Sequence, residues 1–465
     1  MVLLALLAPL HAPSPAHAQR RVDVTSVAEL RAAVNAAAPG DDIVLAPGTY
    51  DIQGKIAVRR AGRPDAPITL RALELGEAIL RFDDPEGFHV LAAHWTFARL
   101  HIEGACSTHN ACEHAYHIVA EADFTTIREN RLVDYNAAIK GNGDEVGGTR
   151  VFPDDVVIEY TEIFNRSARN TGNPVTPIDV VGGRRWIVRG NFIHDFEKGG
   201  GNRISYAAFL KGNSRDGLFE RNLIVCEWLH SGGIRLGLSF GGGGSQPERI
   251  CEDGTCTPEH QGGVMRNNII ARCPADVGIY LNEAADAKVL HNTLYRTGGI
   301  DVRFQASTVE LTGNLMDGRI RERDGGTAND RGNLVASTAD LMRWFADPDQ
   351  LGFGLSAVGI AQIVDGGATG PDVTDDWCGR TRDASPDLGA IEYEDGASGC
   401  ETKGVAPRPR AEPPAATVTP ATTNTPKPSD TPAPSATVTA TGPPPRSATP
   451  AAGHFVLHAP WCGRP

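Results

Sequence analysis

The chain has 465 residues, with 44 Lys+Arg against 57 Asp+Glu and a formal net charge of −13. That acidic balance excludes a general nucleic-acid binder, which needs a basic face to neutralise phosphates. Apolar residues at 41% suffice for a large core, and no apolar run of about 20 residues follows the extreme N-terminus, which excludes a transmembrane helix.

Residues 1–18 read as a signal peptide: an apolar run, Val2–Leu10, then the small-x-small pattern Ala16-His17-Ala18. Export to an oxidising compartment makes the nine cysteines intelligible as disulfides. The expected pairs are Cys106–Cys112, Cys251–Cys256, Cys378–Cys400 and the more distant Cys226–Cys273, leaving Cys462 over. Cys251 and Cys256 with His260 also admit a looser zinc reading.

Ser26 followed by Glu29 predicts a capping-box helix at the N-terminal end of the fold. Beyond it a short pattern recurs, an apolar pair, one or two polar residues, Asn, then a second apolar pair. It is centred on Asn130, Asn191, Asn222, Asn268, Asn292 and Asn314, with Thr161 at the Asn place in one unit. The Asn-to-Asn steps are 31 (191 to 222), 24 (268 to 292) and 22 (292 to 314). Units this small cannot bury an apolar side alone and must stack. Second short runs such as Pro177–Val181, Ala207–Lys211, Ile234–Leu238, Ile279–Leu281 and Ile300–Phe304 add strands to each coil. Alternation places Ile234, Leu236, Leu238, Ile300, Val302 and Phe304 inside, and Arg235, Gly237, Asp301 and Arg303 outside. The fold expected is all-β, a right-handed parallel β-helix (solenoid) over residues 22–395, with the stacked Asn as a ladder at the corners. No regular Leu-x-x-Leu-x-Leu frame exists, so a leucine-rich repeat is excluded.

An outward polar column is expected to comprise Asp179, Lys211, Arg235, Asn282, Asp301 and Arg303, with Lys140 in a repeated Lys-Gly-Asn turn two coils before Lys211. His230 is a further acid/base candidate. His194 and Asp195 resemble a dyad, but consecutive strand residues face opposite sides. Trp228 suits either sugar stacking or core packing. The Gly-rich insertion from Gly241 to Gly263 leaves the solenoid just after the Arg235 strand and is placed to wall a groove. Residues 375–393 close or flank the far end. From 406 to 450 the chain holds 13 of its 32 prolines and reads as a disordered Pro/Thr/Ala-rich linker, followed by a short tail, 451–465.

Residues Ala36–Tyr50, Pro67–Ala72 and Asp387–Tyr393 resemble the opening and closing segments of secreted right-handed parallel β-helix (pectate-lyase-like) proteins. A narrower resemblance is to the chondroitinase B and alginate lyase group, polysaccharide lyase family 6, carried by Phe209-Leu-Lys211-Gly-Asn-Ser and Gly233-Ile-Arg235-Leu. It implies β-elimination on a uronate-containing, acidic polysaccharide, with Lys211 as base and Arg235 as acid or charge partner. Substrate contacts would come from Asp179, Lys140, His230, Asn282 and Arg303. The group binds Ca²⁺ through carboxylates just before its Lys, where this chain has Ser205, Tyr206 and Ala207. Asp179 is then the one ligand candidate. Elimination needs a neutralised uronate carboxylate, a base for the C5 proton and an acid for the leaving O4. The expected protein is a secreted monomer. Two other classes compete: a glycoside hydrolase using Asp179 and Asp301, and a non-catalytic carbohydrate-binding or surface-structural solenoid.

Overall fold

Short alternating runs stack because each has one apolar side to hide. The computed structural model describes residues 20–242, 250–370 and 372–394. The expected leader, the 406–450 linker and the 451–465 tail lie outside them. Among the described residues, three parallel sheets of 12, 11 and 10 strands run along the chain, each strand pairing with its counterparts one coil away. One coil takes a strand from each sheet in turn, for example Ile187–Arg189, Phe192–His194 and Ile204–Lys211. This is the right-handed parallel β-helix, with inward columns such as Phe88, Tyr116, Ile139, Ile178, Ala208, Leu238, Ile279 and Ile300 in register along the ten-stranded sheet. No helix of the described residues is long and apolar enough to cross a membrane.

The Asn ladder is continuous. The side-chain amide of Asn191 donates to Asn222 (3.0 Å), that of Asn222 to Asn268 (2.9 Å), and the series runs on through Asn292 (2.9 Å) and Asn314 (2.9 Å) to Asn333 (2.7 Å). Thr161 fills its gap as expected, accepting from the Asn130 backbone (3.3 Å) and donating its own N–H to Asn191 (3.0 Å). The residue before each ladder member is left-handed, including Glu129 (φ 56°), Tyr160 (φ 50°), Arg221 (φ 53°) and His291 (φ 50°). Non-glycine residues avoid that region unless surrounding structure imposes it, and here the ladder does.

The N-terminal cap is the helix Val27–Asn35, with Leu30 and Val34 buried against the first coil. Ser26 caps it by accepting from Glu29 N, while the Glu29 carboxylate reaches back to Thr25 rather than to Ser26. At the other end the ladder stops at Asn333. Residues 338–394 fold back and cover the outer face of the eleven-stranded sheet, where Trp344, Phe353, Trp377 and Leu388 pack on Phe192, Leu223, Ile269 and Leu315. This segment flanks the solenoid. Trp228 joins the edge of that layer with Arg272 over its ring, which is the packing role.

Strict alternation fails in two places. Ala207 and Ala208 are consecutive and both lie in the core, so Leu236 on the next coil packs outside it against Val277 and Tyr280, and Ile234 is exposed. Phe304 sits at a left-handed turn (φ 70°) beneath the Arg303 guanidinium, not in the core. Cys106–Cys112, Cys226–Cys273 and Cys251–Cys256 are disulfides as expected, which removes the zinc reading; Cys400 lies outside the described residues.

Burial also sets an acid limit on stability. His260 stacks on Phe240 (centroids 4.2 Å apart) and shares a hydrogen bond with Ser214 (2.8 Å); burial pushes its pKa down to about 3, and those of His114 and His291 to about 4. The unfolded chain takes up these protons near pH 6.5, before the folded chain can, so stability falls as pH drops below that point. The loss is at most about 1.4 kcal/mol per pH unit for each histidine. Calorimetric melting between pH 7 and 4.5 should show this decline, and His260→Phe should make it shallower; an unchanged slope would refute the assignment.

Candidate active site

The outward face of the ten-stranded sheet carries the polar groups. Strand pairing is the ruler: His89 faces His117, His117 faces Lys140, Lys140 faces Asp179, and Asp179 faces Phe209. Two residues further along the strands a second column runs through Asn142, Val181 and Lys211. Lys140 and Lys211 therefore flank Asp179 from different coils and different columns, and the two Lys-Gly-Asn motifs are not stacked. Their glycines also differ in purpose. Gly141 is a strand residue where any Cβ would strike Trp186 (2.5 Å), whereas Gly212 is left-handed (φ 69°) and ends the Lys211 strand.

Asp179 is buried and its carboxylate lies 2.6 Å from Lys140 Nζ. Burial alone would raise its pKa, but the charges of Lys140 and Lys211 outweigh it and hold the carboxyl below its usual range. Lys211 is half-buried. Its Nζ lies 3.5 Å from the Gly242 carbonyl and 4.7 Å from the centre of the Phe209 ring. Burial pushes its pKa down, helped by Lys140 and opposed by Asp179 and Glu259. A lysine so placed releases its proton more readily than a free one.

An open pocket of about 430 Å³ adjoins this face, lined by Lys140, Asn142, Arg150, Val181 and Ile250. One wall is the hairpin Asp144–Val146/Thr149–Val151, which the repeat pattern gave no reason to expect. The other is the part of the insertion from residue 250 on, tied down where Arg150 donates to the Cys251 carbonyl (3.0 Å) and Arg184 pairs with Glu252.

Arg235 does not join Lys211. It is buried, 1% exposed, and faces Ser205 across the sheet, six residues before Lys211 and so about 20 Å away along the strand. Its guanidinium donates to Glu197 (2.9 Å) and to the carbonyls of Gly232 (2.8 Å), His230 (3.2 Å) and Cys226. His230 belongs to the same cluster, 3.2 Å from Glu197, and is equally remote from Lys211. His194 and Asp195 do bond (2.7 Å), because Asp195 is left-handed (φ 52°) and turns back; the pair is buried, with the His194 ring between Phe164 and Phe192.

Asn282 and Arg303 continue the Lys211 column, one and two coils beyond Gly241. Asn282 is buried, and Arg303 is held by Asp324 (2.5 Å). Asp301 is buried under Arg321 and Arg323. It stands four coils from Asp179 through Phe209, Ser239 and Tyr280, about 19 Å. Glycosidase carboxylates work at about 5–10 Å, so these two cannot form the hydrolase pair. A calcium ion, which seeks six to eight oxygens, does not fit at Asp179 either: its carboxylate is already engaged by Lys140 and faces a second ammonium.

Comparison with known proteins agrees with the architecture. Residues 24–86 match the family model described as Chondroitinase B. Pectate lyase L of Dickeya chrysanthemi is 32% identical over 128 residues, covering 23% of this chain and 30% of that protein. The match thus spans under a third of the relative's length. Among solved structures, pectate lyase Pel9A superposes with a TM-score of 0.56 at 16% identity, over 78% of this chain and 90% of that one. An alginate lyase from Paenibacillus sp. str. FPU-7 gives 0.40 at 16% identity, over 69% and 100%. The chain has the parallel β-helix fold of pectate lyase Pel9A, and its residues 24–86 resemble chondroitinase B.

Proposed function

We propose that this protein is a secreted polysaccharide lyase that cleaves an acidic, uronate-containing polymer by β-elimination, with Lys211 as the base. The observation that carries the reading is the convergence of Lys140, Asp179 and Lys211 on one outward face beside a walled pocket. Lys140 is placed to offset the uronate carboxylate. Lys211, with its proton loosened by burial, takes the proton from C5 as the C4–O4 bond breaks, and its ammonium form or solvent returns a proton to the departing O4. Asp179 anchors Lys140 at 2.6 Å and its charge acts on Lys211 as well. Three disulfides agree with an extracellular setting.

The test is ultraviolet absorbance of the unsaturated uronate product, followed with the full chain on alginate, pectate and chondroitin or dermatan sulfate. Absorbance growing on one polymer establishes the lyase and its substrate. New reducing ends without absorbance overturn it in favour of hydrolysis, and silence in both assays leaves a binding solenoid.

A further inference from the structure

Two and three coils before Asp179, on the same outward face, His117 and the pair Glu86 and His89 bring one ligand atom each within 4.8 Å of one another. His89 and His117 occupy paired positions on adjacent coils, their rings stacked 5.0 Å apart, and Glu86 lies between their Nδ1 atoms, 2.9 Å from each.

The hydrogen-bond network assigns the ring protons. Asn142 donates from Nδ2 to the Gly143 carbonyl (3.0 Å), so its Oδ1 is turned to His117 Nε2 (2.7 Å) and accepts from it. In that tautomer Nδ1 of His117 faces Glu86 Oε1, while His89 Nδ1 lies 2.9 Å from Glu86 Oε2 and 3.0 Å from Lys55 Nζ, a group that only donates. Two ring nitrogens and two carboxylate oxygens thus converge on one point, where Lys55, 2.8 Å from Glu86 and largely exposed, now supplies the cation.

We infer that Glu86, His89 and His117 form a binding site for a divalent transition-metal ion of the zinc class, with Asn142 orienting His117 from behind. Two imidazoles and one carboxylate suit such an ion and are too nitrogen-rich for calcium. Asn142 fills the role of the outer partner that fixes the tautomer of a ligating histidine. All three ligands are half-buried and face outward, so a coordination position remains open toward the face that carries Lys140. The site stands on these residues alone and is independent of the lyase reading.

Isothermal titration of the untagged full chain with ZnCl₂, and with CoCl₂ followed by its visible absorption, tests it. One equivalent is expected per chain. Glu86→Gln, His89→Ala and His117→Ala should each abolish it, and Asn142→Ala should weaken it about 10–100-fold. Lys55→Met should tighten it by removing the competing ammonium, a gain that misfolding cannot mimic. Absence of binding, or binding that survives the double variant His89→Ala/His117→Ala, would show an ion-paired triad with no metal function and overturn the inference.

Discussion

Lys211→Ala is expected to lower the rate of elimination by about 10²–10⁴-fold, the usual contribution of a positioned general base, while stability changes by no more than about 1 kcal/mol. Lys211 makes one long contact to a carbonyl and one to an aromatic ring, so its loss leaves little unsatisfied. Arg235→Ala is expected to do the reverse. It takes from Glu197 its shortest cationic partner, leaving His230 (3.2 Å) and Arg203 (3.4 Å), and strands three carbonyls that now accept from Arg235. Breaking a buried pair from one side costs about 3–5 kcal/mol. The kcat of any Arg235 variant that remains folded should therefore stay near that of the parent. The pH profile supplies a second check: burial lowers the Lys211 pKa, so the rising limb of kcat/KM should fall below the range of a free lysine, about 10.4. A profile still rising through that value, or a Lys211→Ala enzyme of full activity, would remove Lys211 from the mechanism.

The same contrast shows what the sequence could and could not disclose. The corner Asn pattern was legible because every coil repeats one requirement, an amide that accepts from the coil before and donates to the coil after. The cap was legible from Ser26 and Glu29, and the pairs Cys106–Cys112 and Cys251–Cys256 from their proximity in sequence. The pairing of Lys211 with Arg235 was not, because it depends on counting along the coil. Leu210 faces Phe240, a coil of 30 residues, so the neighbour of Lys211 is Gly241, and Arg235, only 24 residues on, falls six short. The step of 31 between Asn191 and Asn222 already held that information. The Glu86, His89 and His117 cluster escaped notice because the Asn signal begins only at Asn130, so no register was available to bring positions 28 residues apart together. The hairpin at 144–151 hid inside a double step of the repeat.

Asn222→Ala is expected to destabilise the protein by about 3–5 kcal/mol, near the upper end for a single substitution. Its Oδ1 accepts from both the backbone (3.1 Å) and the side chain (3.0 Å) of Asn191, and its Nδ2 donates to the Val188 carbonyl (2.8 Å) and to Asn268 (2.9 Å). Alanine would leave these four partners buried in a corner where Asn191, Asn222 and Asn268 have no exposed surface. Each buried group left without a partner costs about 1–3 kcal/mol, and the contributions overlap within one network. Asn333 makes the same kinds of bond, to Leu311 (2.8 Å) and to Asn314 (2.7 Å), but it is half-buried at the end of the ladder. Water can replace it there, and Asn333→Ala should cost about 1 kcal/mol. Chemical denaturation of both variants measures the difference. Equal losses would mean that the amide's identity sets the energy; a loss several-fold larger at Asn222 would mean that burial within the stack does, as expected of a solenoid whose coils are stabilised by their neighbours.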